Sequence, residues 1–502
     1  MTGQIKISID GKNRIVSKNS KLAELILEDM PCGGHGKCGK CKIRVWGAVS
    51  PVTETERCML TVEEIQNGVR LACCTEITGT CKIQTLWKTN SSTQIVTQGH
   101  RPLCALDPIF ANYGIAIDIG TTTLAAQLYN AAGDLLSEEC CLNPQVCYGA
   151  DVLSRIETSV KSGSKEVTEC IREAVDSCIL SLCDKVGIKA EMIDGVVITA
   201  NTVMLYLLTG TDATPLTRAP FHASELFGKV ITADVIGLTS LKKETEVYFP
   251  PCISAFVGAD TVCAMMAVEL AKNVGAAILI DLGTNGEIAL WNHGQLFVCA
   301  TAAGPVFEGG EISAGMRAST GAIDRVWIEN DKLEIHVIGE TTPTGICGSG
   351  LIDAIACLLK LGVLEESGLL ERDPAVITQA VAITQRDVRM LQAAKSAIYA
   401  GIITLAVKAG ISVEQVGSVY IAGGLGKYLN ATNGARIGLI PKKVVSKIKI
   451  VGNAAVSGAT MLLLNRNARS ACQEISQNSV TIDLATDRTF CKEYITGMFF
   501  KQ

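Results

Sequence analysis

Cysteines in a glycine-rich segment near the N-terminus are the residues of this chain best suited to chemistry. The segment P-C-G-G-H-G-K-C-G-K-C has the spacing C-x5-C-x2-C, and R-L-A-C-C follows some thirty residues later. Four thiolates can hold a [2Fe–2S] cluster, with three from one loop and the fourth from further along the chain. The glycines of the loop allow positive φ and direct backbone N–H groups at the sulfurs. The spacing therefore predicts a cluster held by Cys32, Cys38, Cys41 and one of Cys73 and Cys74.

Two other metal sites compete with this interpretation. Zinc commonly binds C-x2-C units. Zinc knuckles usually contain two such units close together, and this segment does not contain two. A Rieske-type cluster needs two histidines, and the loop offers His35 alone. The five-residue first gap resembles vertebrate-type ferredoxins rather than the plant type, and R-L-A-C matches ferredoxin-like sequences at its cysteine. That resemblance favours Cys73 over Cys74 as the fourth ligand.

A second chemistry, phosphate and metal binding, is indicated by two similar strand–turn–strand patterns. Residues 115–128 and 278–291 share six of fourteen residues, I-x-I-D-x-G-T-x-x-x-x-A, at an offset of 163 that suits a duplicated domain half. Asp118 and Asp281 can each hold Mg²⁺ through water, since magnesium rarely sheds its water shell. Backbone N–H and hydroxyl groups of the turns suit phosphate oxygens. The predicted phosphate-binding residues are Gly120, Thr121, Thr122 and Thr123 in the first turn and Gly283, Thr284, Asn285 and Gly286 in the second.

A third pattern, V-Y-I-A-G-G-L-G-K-Y-L at 419–429, leads a strand into a glycine turn. The missing side chains at Gly423, Gly424 and Gly426 allow a flat ligand such as adenosine to approach the backbone. Two phosphate hairpins followed by an adenosine-binding glycine turn is the order of the actin, Hsp70 and sugar-kinase superfamily. Small-residue segments at 256–270 and 453–464 predict the two helices of the hinge, so closure on ATP is the expected motion.

Other acidic residues near these patterns are candidates for catalysis. Asp260 precedes the first hinge helix and is a candidate base for the water that attacks ATP. Glu287 and Glu308 are candidates for positioning water or metal, with a solvated or capping role as the alternative.

The elements around the motifs predict two domains and a linker. Alternating Ile5, Ile7 and Ile9 predict a first strand, with a helix over 21–29 and a strand over 41–46 on either side of the cysteine loop. This pattern predicts an α+β domain with a β-grasp, ferredoxin-like fold over 1–87. Residues 88–113 are polar without a sustained period and predict a linker. Residues 114–502 predict a duplicated α/β, actin-like ATPase domain with halves at 114–272 and 273–502.

Composition limits the class of protein. The chain has 502 residues, 48% hydrophobic, with a mean hydropathy of +0.30 and a net charge of −5. It contains no Lys/Arg tract for nucleic acid and no run of the roughly 18 to 20 apolar residues that a membrane helix needs. The polar N-terminus and the 21 cysteines, which are not a disulfide framework, predict a cytoplasmic protein. Residues 1–87 carry twelve Lys/Arg and nine Asp/Glu, a net charge of +3, which leaves −8 for the rest of the chain. We therefore expect this domain to present a basic face to an acidic partner.

A ferredoxin-like unit fused to an actin-like ATPase resembles the reductive activators of corrinoid-dependent methyltransferases, over nearly the whole chain. Further family-like stretches are N-P-Q-V-C-Y-G-A-D-V-L-S-R-I at 143–156, A-N-T-V-M-L-Y-L-L-T-G at 200–210, A-A-G-P-V-F-E-G-G-E-I at 302–312 and T-G-I-C-G-S-G-L-I-D-A at 344–354. Some relatives have an extra domain before the ATPase or C-terminal [4Fe–4S] cysteines, and this chain has neither. Which corrinoid protein it would serve is therefore open.

The resemblance implies an activity and a set of partners. An inactive Co(II) corrinoid protein is reduced to Co(I) by one electron from the [2Fe–2S] cluster, and ATP with Mg²⁺ drives the transfer. The electron would come from a low-potential donor such as ferredoxin or flavodoxin, and the ATPase domain would form a homodimer.

Other classes of protein share part of this pattern. A small-molecule kinase with a ferredoxin appendage would use the same ATP fold, but phosphoryl transfer needs no electron carrier. A 2-hydroxyacyl-CoA dehydratase-type activator holds one [4Fe–4S] cluster between two subunits and has no ferredoxin domain. A chaperone-like ATP switch needs no iron. ATP-dependent electron donation to another low-potential metalloenzyme is the alternative nearest to corrinoid activation.

Overall fold

The computed structural model describes residues 4–26, 34, 36, 39–86, 96, 97, 99, 105–149 and 151–500. The chain divides into two units, one of residues 1–92 with 145–155 and one of residues 93–144 with 156–502. Cys32, Cys38 and His35 lie outside the described residues.

Alternating isoleucines build the sheet of the first unit. Its strands are β1 (Gln4–Ile9), β2 (Lys12–Ser17), β3 (Lys42–Val49), β4 (Val69–Leu71) and β5 (Ile77–Thr85). The order is β2-β1-β5-β3-β4, with β1 and β5 parallel and the other neighbours antiparallel. Ile7, Ile9 and Ile43 point into one core, because every second residue of a strand faces the same side. This arrangement agrees with the predicted β-grasp fold.

Short helices join the same core. They are α1 (Leu22–Leu25), α2 (Glu54–Met59) and α3 (Val62–Gln66). Capping boxes begin α2 at Thr53 and α3 at Thr61, where each threonine side chain accepts from the backbone N–H three residues later. The helix predicted over 21–29 begins at Leu22, and residues 27–29 lie outside the described part of the chain.

The remaining strands are β6 (Tyr113–Ile119), β7 (Thr123–Asn130), β8 (Leu135–Leu142), β9 (Ile193–Ala200), β10 (Phe227–Thr232), β11 (Glu246–Pro251), β12 (Ala277–Leu282), β13 (Gly286–Asn292), β14 (Gln295–Thr301), β15 (Ala322–Glu329), β16 (Lys332–Val337), β17 (Gly345–Ile346), β18 (Ala375–Val376), β19 (Ala382–Ile383), β20 (Ser418–Ala422), β21 (Ile448–Gly452) and β22 (Ser479–Thr481). The remaining helices are α4 (Val152–Ser162), α5 (Ser164–Val186), α6 (Thr202–Thr209), α7 (Ala233–Ile236), α8 (Ala259–Ala267), α9 (Gly348–Lys360), α10 (Gln385–Lys408), α11 (Ala431–Arg436), α12 (Ala454–Leu464), α13 (Ala468–Asn478) and α14 (Arg488–Gly497).

Two large sheets of the second unit repeat one topology, which agrees with the predicted duplication. Their orders are β10-β11-β9-β6-β7-β8 and β21-β20-β12-β13-β14-β22. In each, an antiparallel meander (β6-β7-β8 or β12-β13-β14) gains a parallel strand beside its first member, β9 or β20. The central strands are buried along most of their length, because helices cover both faces of such sheets.

The predicted hinge helices form as α8 and α12, and both consist of small and apolar residues. They pack backbone to backbone at Gly458, where a side chain would collide with the Cys263 carbonyl group. Both helices belong to a core that also contains Phe110 and Tyr129.

Helix α10 is the most apolar long helix of the second unit. Within the described residues it is the one helix long and apolar enough to cross a membrane by length and composition, and 72% of its apolar window is buried inside the protein. Leu391, Ile398 and Leu405 belong to the core beneath β12–β14, so α10 has the character of a core helix.

The described part of the segment predicted as a linker belongs to the second unit and packs into it. Ile109 N–H donates to the Leu463 carbonyl, and Phe110 is buried against Gly114 and Gly195, where a side chain would collide with its ring or Cβ. Its polar composition conceals these anchoring residues.

Candidate functional site

A cavity of about 230 Å³ in the second unit collects most of the predicted nucleotide-binding residues. Those lining it are Asp118, Gly120, Thr121, Thr122, Thr123, Asp260, Asp281, Gly283, Thr284, Asn285, Gly423 and Gly424. Gly286 and Gly426 do not line it. A side chain at Gly286 would instead collide with Ile398 of α10, so this glycine allows the hairpin to pack on the core helix.

The two hairpin turns are tight and similar. Gly120 N–H donates to the Thr123 carbonyl at 2.8 Å, and Gly283 N–H donates to the Asn285 carbonyl at 3.1 Å. Asp118 and Asp281 precede these turns near the ends of the equivalent strands β6 and β12. The repeat therefore places two carboxylates and two sets of turn donors at one cavity.

Three asparagines hold the first hairpin in place. Asn143 Nδ2 donates to the Gly120 carbonyl at 2.8 Å, and Asn201 Nδ2 donates to Thr121 Oγ1 at 3.2 Å. Asn453 Nδ2 donates to the Asp118 carboxylate at 3.0 Å. Asn201 and Asn453 also cap the helices α6 and α12, so the hairpin is tied to two helix N-termini.

Glu308 connects the two hairpins. Its carboxylate accepts hydrogen bonds from Thr122 Oγ1 at 2.6 Å and from Thr284 Oγ1 at 3.0 Å. Glu308 follows β14 in a short 3₁₀ helix, Pro305–Glu308, and lines the same cavity.

The carboxylates of the cavity repel one another. Each carboxylate faces the cavity on one side and protein on the others. Burial and the nearby Asp260 carboxylate together raise the pKa of Asp118 and of Asp281 to about 7. Burial raises the pKa of Asp260 to about 6. Burial and the charges of Asp260 and Asp281 raise the pKa of Glu287 well above its ordinary range. A cation entering this cluster would favour the charged form of every member.

The separation of the carboxylates bears on how they could bind a metal ion. Among the described residues, no three His, Cys, Asp or Glu side chains are placed so that they could hold a metal ion together. A hydrated ion, held through its water molecules, fits such separated carboxylates better than a bare one.

The glycine turn after β20 lies beside the second aspartate. Gly423 has φ +90, and a Cβ there would come within 2.7 Å of an Asp281 carboxylate oxygen. Gly424 has open space around the position of a side chain. The turn therefore offers bare backbone to the cavity, next to Leu425 and Tyr428.

In the first unit, two of the predicted cluster ligands meet. Cys41 Sγ and Cys73 Sγ are 3.2 Å apart, at the start of β3 and just after β4. Cys74 Sγ lies 3.7 Å from Cys73 Sγ. Both other predicted ligands, Cys32 and Cys38, lie outside the described residues, while Gly36 and Gly39 between and after them have φ of +69 and +64.

A buried ion pair fixes the segment that carries Cys73. Arg70 donates to both oxygens of Glu56, at 2.8 and 2.9 Å, and Leu71 N–H donates to the same carboxylate at 3.0 Å. Hydrogen bonds from Arg70, Thr53 and Leu71 outweigh burial and lower the pKa of Glu56. A paired, fully hydrogen-bonded carboxylate holds the strand before Cys73 in a single position.

Sequence patterns gave no role to Asn143, Asn201 and Asn453. Each lies in a stretch with a visible signal: the first opens N-P-Q-V, the second lies in A-N-T-V, and the third begins the second hinge segment. An asparagine directly before a helical pattern is an N-cap signal. The contact of each of these three asparagines with the distant first hairpin has no signal in the neighbouring sequence.

Comparison with known proteins places this chain among corrinoid activators. The family description "RACo middle region" matches residues 113–273, and "C-terminal domain of RACo the ASKHA domain" matches residues 275–502. The corrinoid activation enzyme RamQ of Eubacterium limosum is 34% identical over 425 residues, covering 77% of this chain and 70% of the relative. The Co(II) methylated amine-specific corrinoid protein reductase of Methanosarcina barkeri is 27% identical over 421 residues, covering 77% of each.

A solved structure is similar along almost the whole chain. The reductive activator for corrinoid, iron-sulfur protein gives a TM-score of 0.72 at 28% identity, over 99% of this chain and 98% of that one.

Proposed function

We infer the function of this protein from one premise: the chain belongs to the RACo family, whose middle region and C-terminal ASKHA domain follow each other along residues 113–273 and 275–502. It is a reductive activator, an enzyme that returns an inactive Co(II) corrinoid protein to the Co(I) state at the expense of ATP.

The cavity that contains both aspartates of the repeat carries the proposal. Thr121, Thr122 and Thr284 offer hydroxyl groups, and their turns offer backbone N–H groups, to the phosphates of ATP. Asp118 and Asp281 would hold hydrated Mg²⁺, and the ion would neutralise charge on the phosphates. A cation bound beside both carboxylates would offset the burial and the Asp260 charge that raise their pKa, which supports this role.

The remaining cavity groups bind the nucleoside and activate water. Gly423 and Gly424 lie against the adenosine, with Gly426 supporting the turn behind them. Asp260 accepts a proton from the attacking water, and a pKa of about 6 leaves it ionised at neutral pH.

We propose Cys32, Cys38, Cys41 and Cys73 as ligands of a [2Fe–2S] cluster, which when bound supplies the single electron. The 3.2 Å between Cys41 Sγ and Cys73 Sγ supports their binding to the same iron. Positive φ at Gly36 and Gly39 supports a loop that wraps tightly.

ATP is required because the electron moves uphill. Plant-type clusters have potentials near about −400 mV, and every ~59 mV of shortfall in a one-electron step lowers the equilibrium tenfold. Closure of the cleft on nucleotide can overcome such a shortfall by stabilising one state of the partners.

The proposed partners are a corrinoid protein and a low-potential donor such as ferredoxin or flavodoxin, in the cytoplasm, without nucleic acid or membrane. The balance of +3 in residues 1–87 suits an acidic donor. We propose that these residues are the redox domain, that 88–113 join it to an ATPase domain over 114–502, and that two copies pair through the ATPase domain.

The test is cobalt reduction with purified components. The anaerobically purified protein would be mixed with a reductant and with a Co(II) corrinoid protein, and Co(I) absorption would be followed with and without Mg-ATP. We expect two iron atoms per chain and Co(I) only when Mg-ATP is present. Equal Co(I) formation without nucleotide would contradict the proposed coupling.

A further inference from the structure

Glu308 uses both of its carboxylate oxygens to join the two hairpins. One oxygen accepts from Thr122 of the first hairpin at 2.6 Å, and the other accepts from Thr284 of the second at 3.0 Å. The two threonine hydroxyls are themselves 3.4 Å apart. A single anion therefore closes the gap between two turns that come from opposite halves of the repeat.

The segment that carries Glu308 is held by close packing. Gly309 ends the 3₁₀ helix at φ +74, and a side chain there would collide with the Met316 backbone. A side chain at Gly348 would collide with the Phe307 carbonyl group. Backbone contacts on both sides therefore place the carboxylate between the hairpins.

The hydroxyl groups that Glu308 occupies are the ones that suit a phosphate. Carboxylate and phosphate oxygens both accept from hydroxyl donors, so one group excludes the other from the same two threonines. The cavity already contains the carboxylates of Asp118, Asp260 and Asp281, which makes a further anion unfavourable there.

We propose that Glu308 is a clasp that stands in for a nucleotide phosphate: it links Thr122 to Thr284 in the nucleotide-free protein, and the phosphate chain of Mg-ATP displaces it. This inference rests on the proposed ATP site and adds to it the residue that opposes phosphate entry. A ligand that binds only the open form has an apparent affinity reduced by the fraction of molecules in that form. The clasp therefore lowers affinity for phosphate-bearing nucleotides and leaves affinity for adenosine unchanged.

The test compares ligand binding by the full chain and by three variants. Glu308→Ala removes the clasp, Glu308→Gln removes its charge, and Glu311→Gln makes the same charge change at an exposed residue of the same segment. Dissociation constants would be measured by calorimetry for Mg-ATP and for adenosine. We expect Glu308→Ala to bind Mg-ATP about tenfold more tightly, since two hydrogen bonds to a charged group contribute at least that factor. Glu308→Gln should gain less, and Glu311→Gln should match the wild type.

Each other outcome has a definite meaning. If the wild type binds Mg-ATP and neither Glu308 variant binds it more tightly, the clasp is wrong and the ATP site stands. If the Glu308 variants bind Mg-ATP with unchanged affinity but hydrolyse it more slowly, Glu308 is a water-positioning residue instead. An equal gain for adenosine would overturn the clasp, because it would mean a general loosening of the cavity. If the wild type binds no Mg-ATP, the clasp and the proposed ATP site both fail.

Discussion

The side chain of Asn453 forms hydrogen bonds with the Asp118 carboxylate and with the N-terminus of helix α12 at the same time. Its Nδ2 donates to the Asp118 carboxylate at 3.0 Å, and its Oδ1 accepts from the Val456 backbone N–H at 2.9 Å. One amide thus joins the first hairpin to the N-terminus of helix α12.

Asn453→Ala should therefore affect both stability and activity. Loss of the cap costs about 1 kcal/mol of unfolding free energy. Loss of the donor leaves the charge of Asp118 less stabilised. We therefore expect ATP hydrolysis to be about tenfold slower. Asn430→Ala is the matched control, because Asn430 caps α11 at an exposed position. The Asn430→Ala variant should lose a similar unfolding free energy and keep the full rate of ATP hydrolysis. Equal rates in the two variants would mean that Asn453 acts only as a helix cap.

Asp281→Asn should separate the ATPase from the cluster. Mg²⁺ contributes several kcal/mol to the transition state of phosphoryl transfer, so ATP hydrolysis and Co(I) formation should each fall about a hundredfold or more. The visible spectrum of the cluster should not change, and Asp118→Asn should behave likewise. Asp331→Asn makes the same chemical change at an exposed turn and should have no effect. Cobalt reduction at the wild-type rate by Asp281→Asn would mean that ATP does not drive the reaction.

The same carboxylates predict how stability depends on pH. The pKa of Asp118 and of Asp281 is about 7 in the folded protein against an ordinary value of 3.8. The folded state therefore binds more protons than the unfolded state between these values. Their stabilising contribution is complete below about pH 4 and is lost as the pH rises through about 7.

Thermal unfolding without Mg²⁺ and nucleotide checks this expectation. The Tm should fall as the pH rises from 5 to 8, and it should fall less steeply in Asp281→Asn, which should also be the more stable protein at pH 8. Mg-ATP should raise Tm more at pH 8 than at pH 5.5, because it binds the ionised carboxylates. Identical pH profiles for the two proteins would contradict the raised pKa of Asp281.

Cys73→Ala should abolish or scramble the [2Fe–2S] spectrum, while Cys74→Ala should leave it intact. Cys73 Sγ lies 3.2 Å from Cys41 Sγ and 3.7 Å from Cys74 Sγ. Visible absorption and iron content of the anaerobically purified variants are the measurements. A cluster that survives in Cys73→Ala and is lost in Cys74→Ala would exchange the two assignments.

Local patterns predicted the parts of the site whose function depends on local geometry. The hairpin turns need glycine, threonine and a terminal aspartate within a few residues, so each one is visible in the sequence and the repeat makes it specific. Asp118 and Asp281 were predicted in this way, and both line the cavity. Gly286 has the same local signal as Gly283, but it packs against Ile398, which no pattern around residue 286 indicates.

Residues that act between distant segments could not be predicted in this way. Asn143, Asn201 and Asn453 come from three separate parts of the chain and meet at one hairpin. Glu308 was noticed as an acidic residue, but its contact with two threonines 24 and 186 positions away depends on the closed fold. Polar composition alone likewise concealed Phe110, which is buried in the core of the second unit.

The contact at Gly458 determines how the cleft can move. With no side chain between the backbones of α8 and α12, no change of rotamer can let one helix slide along the other. We expect this contact to act as a pivot about which the two halves rotate when ATP binds. Displacement in a rotation grows with distance from the axis, so a small angle set by the phosphates becomes a large movement at the outer edges of the two sheets. We therefore expect a slight change around the nucleotide to produce a larger displacement at the surface of the second unit.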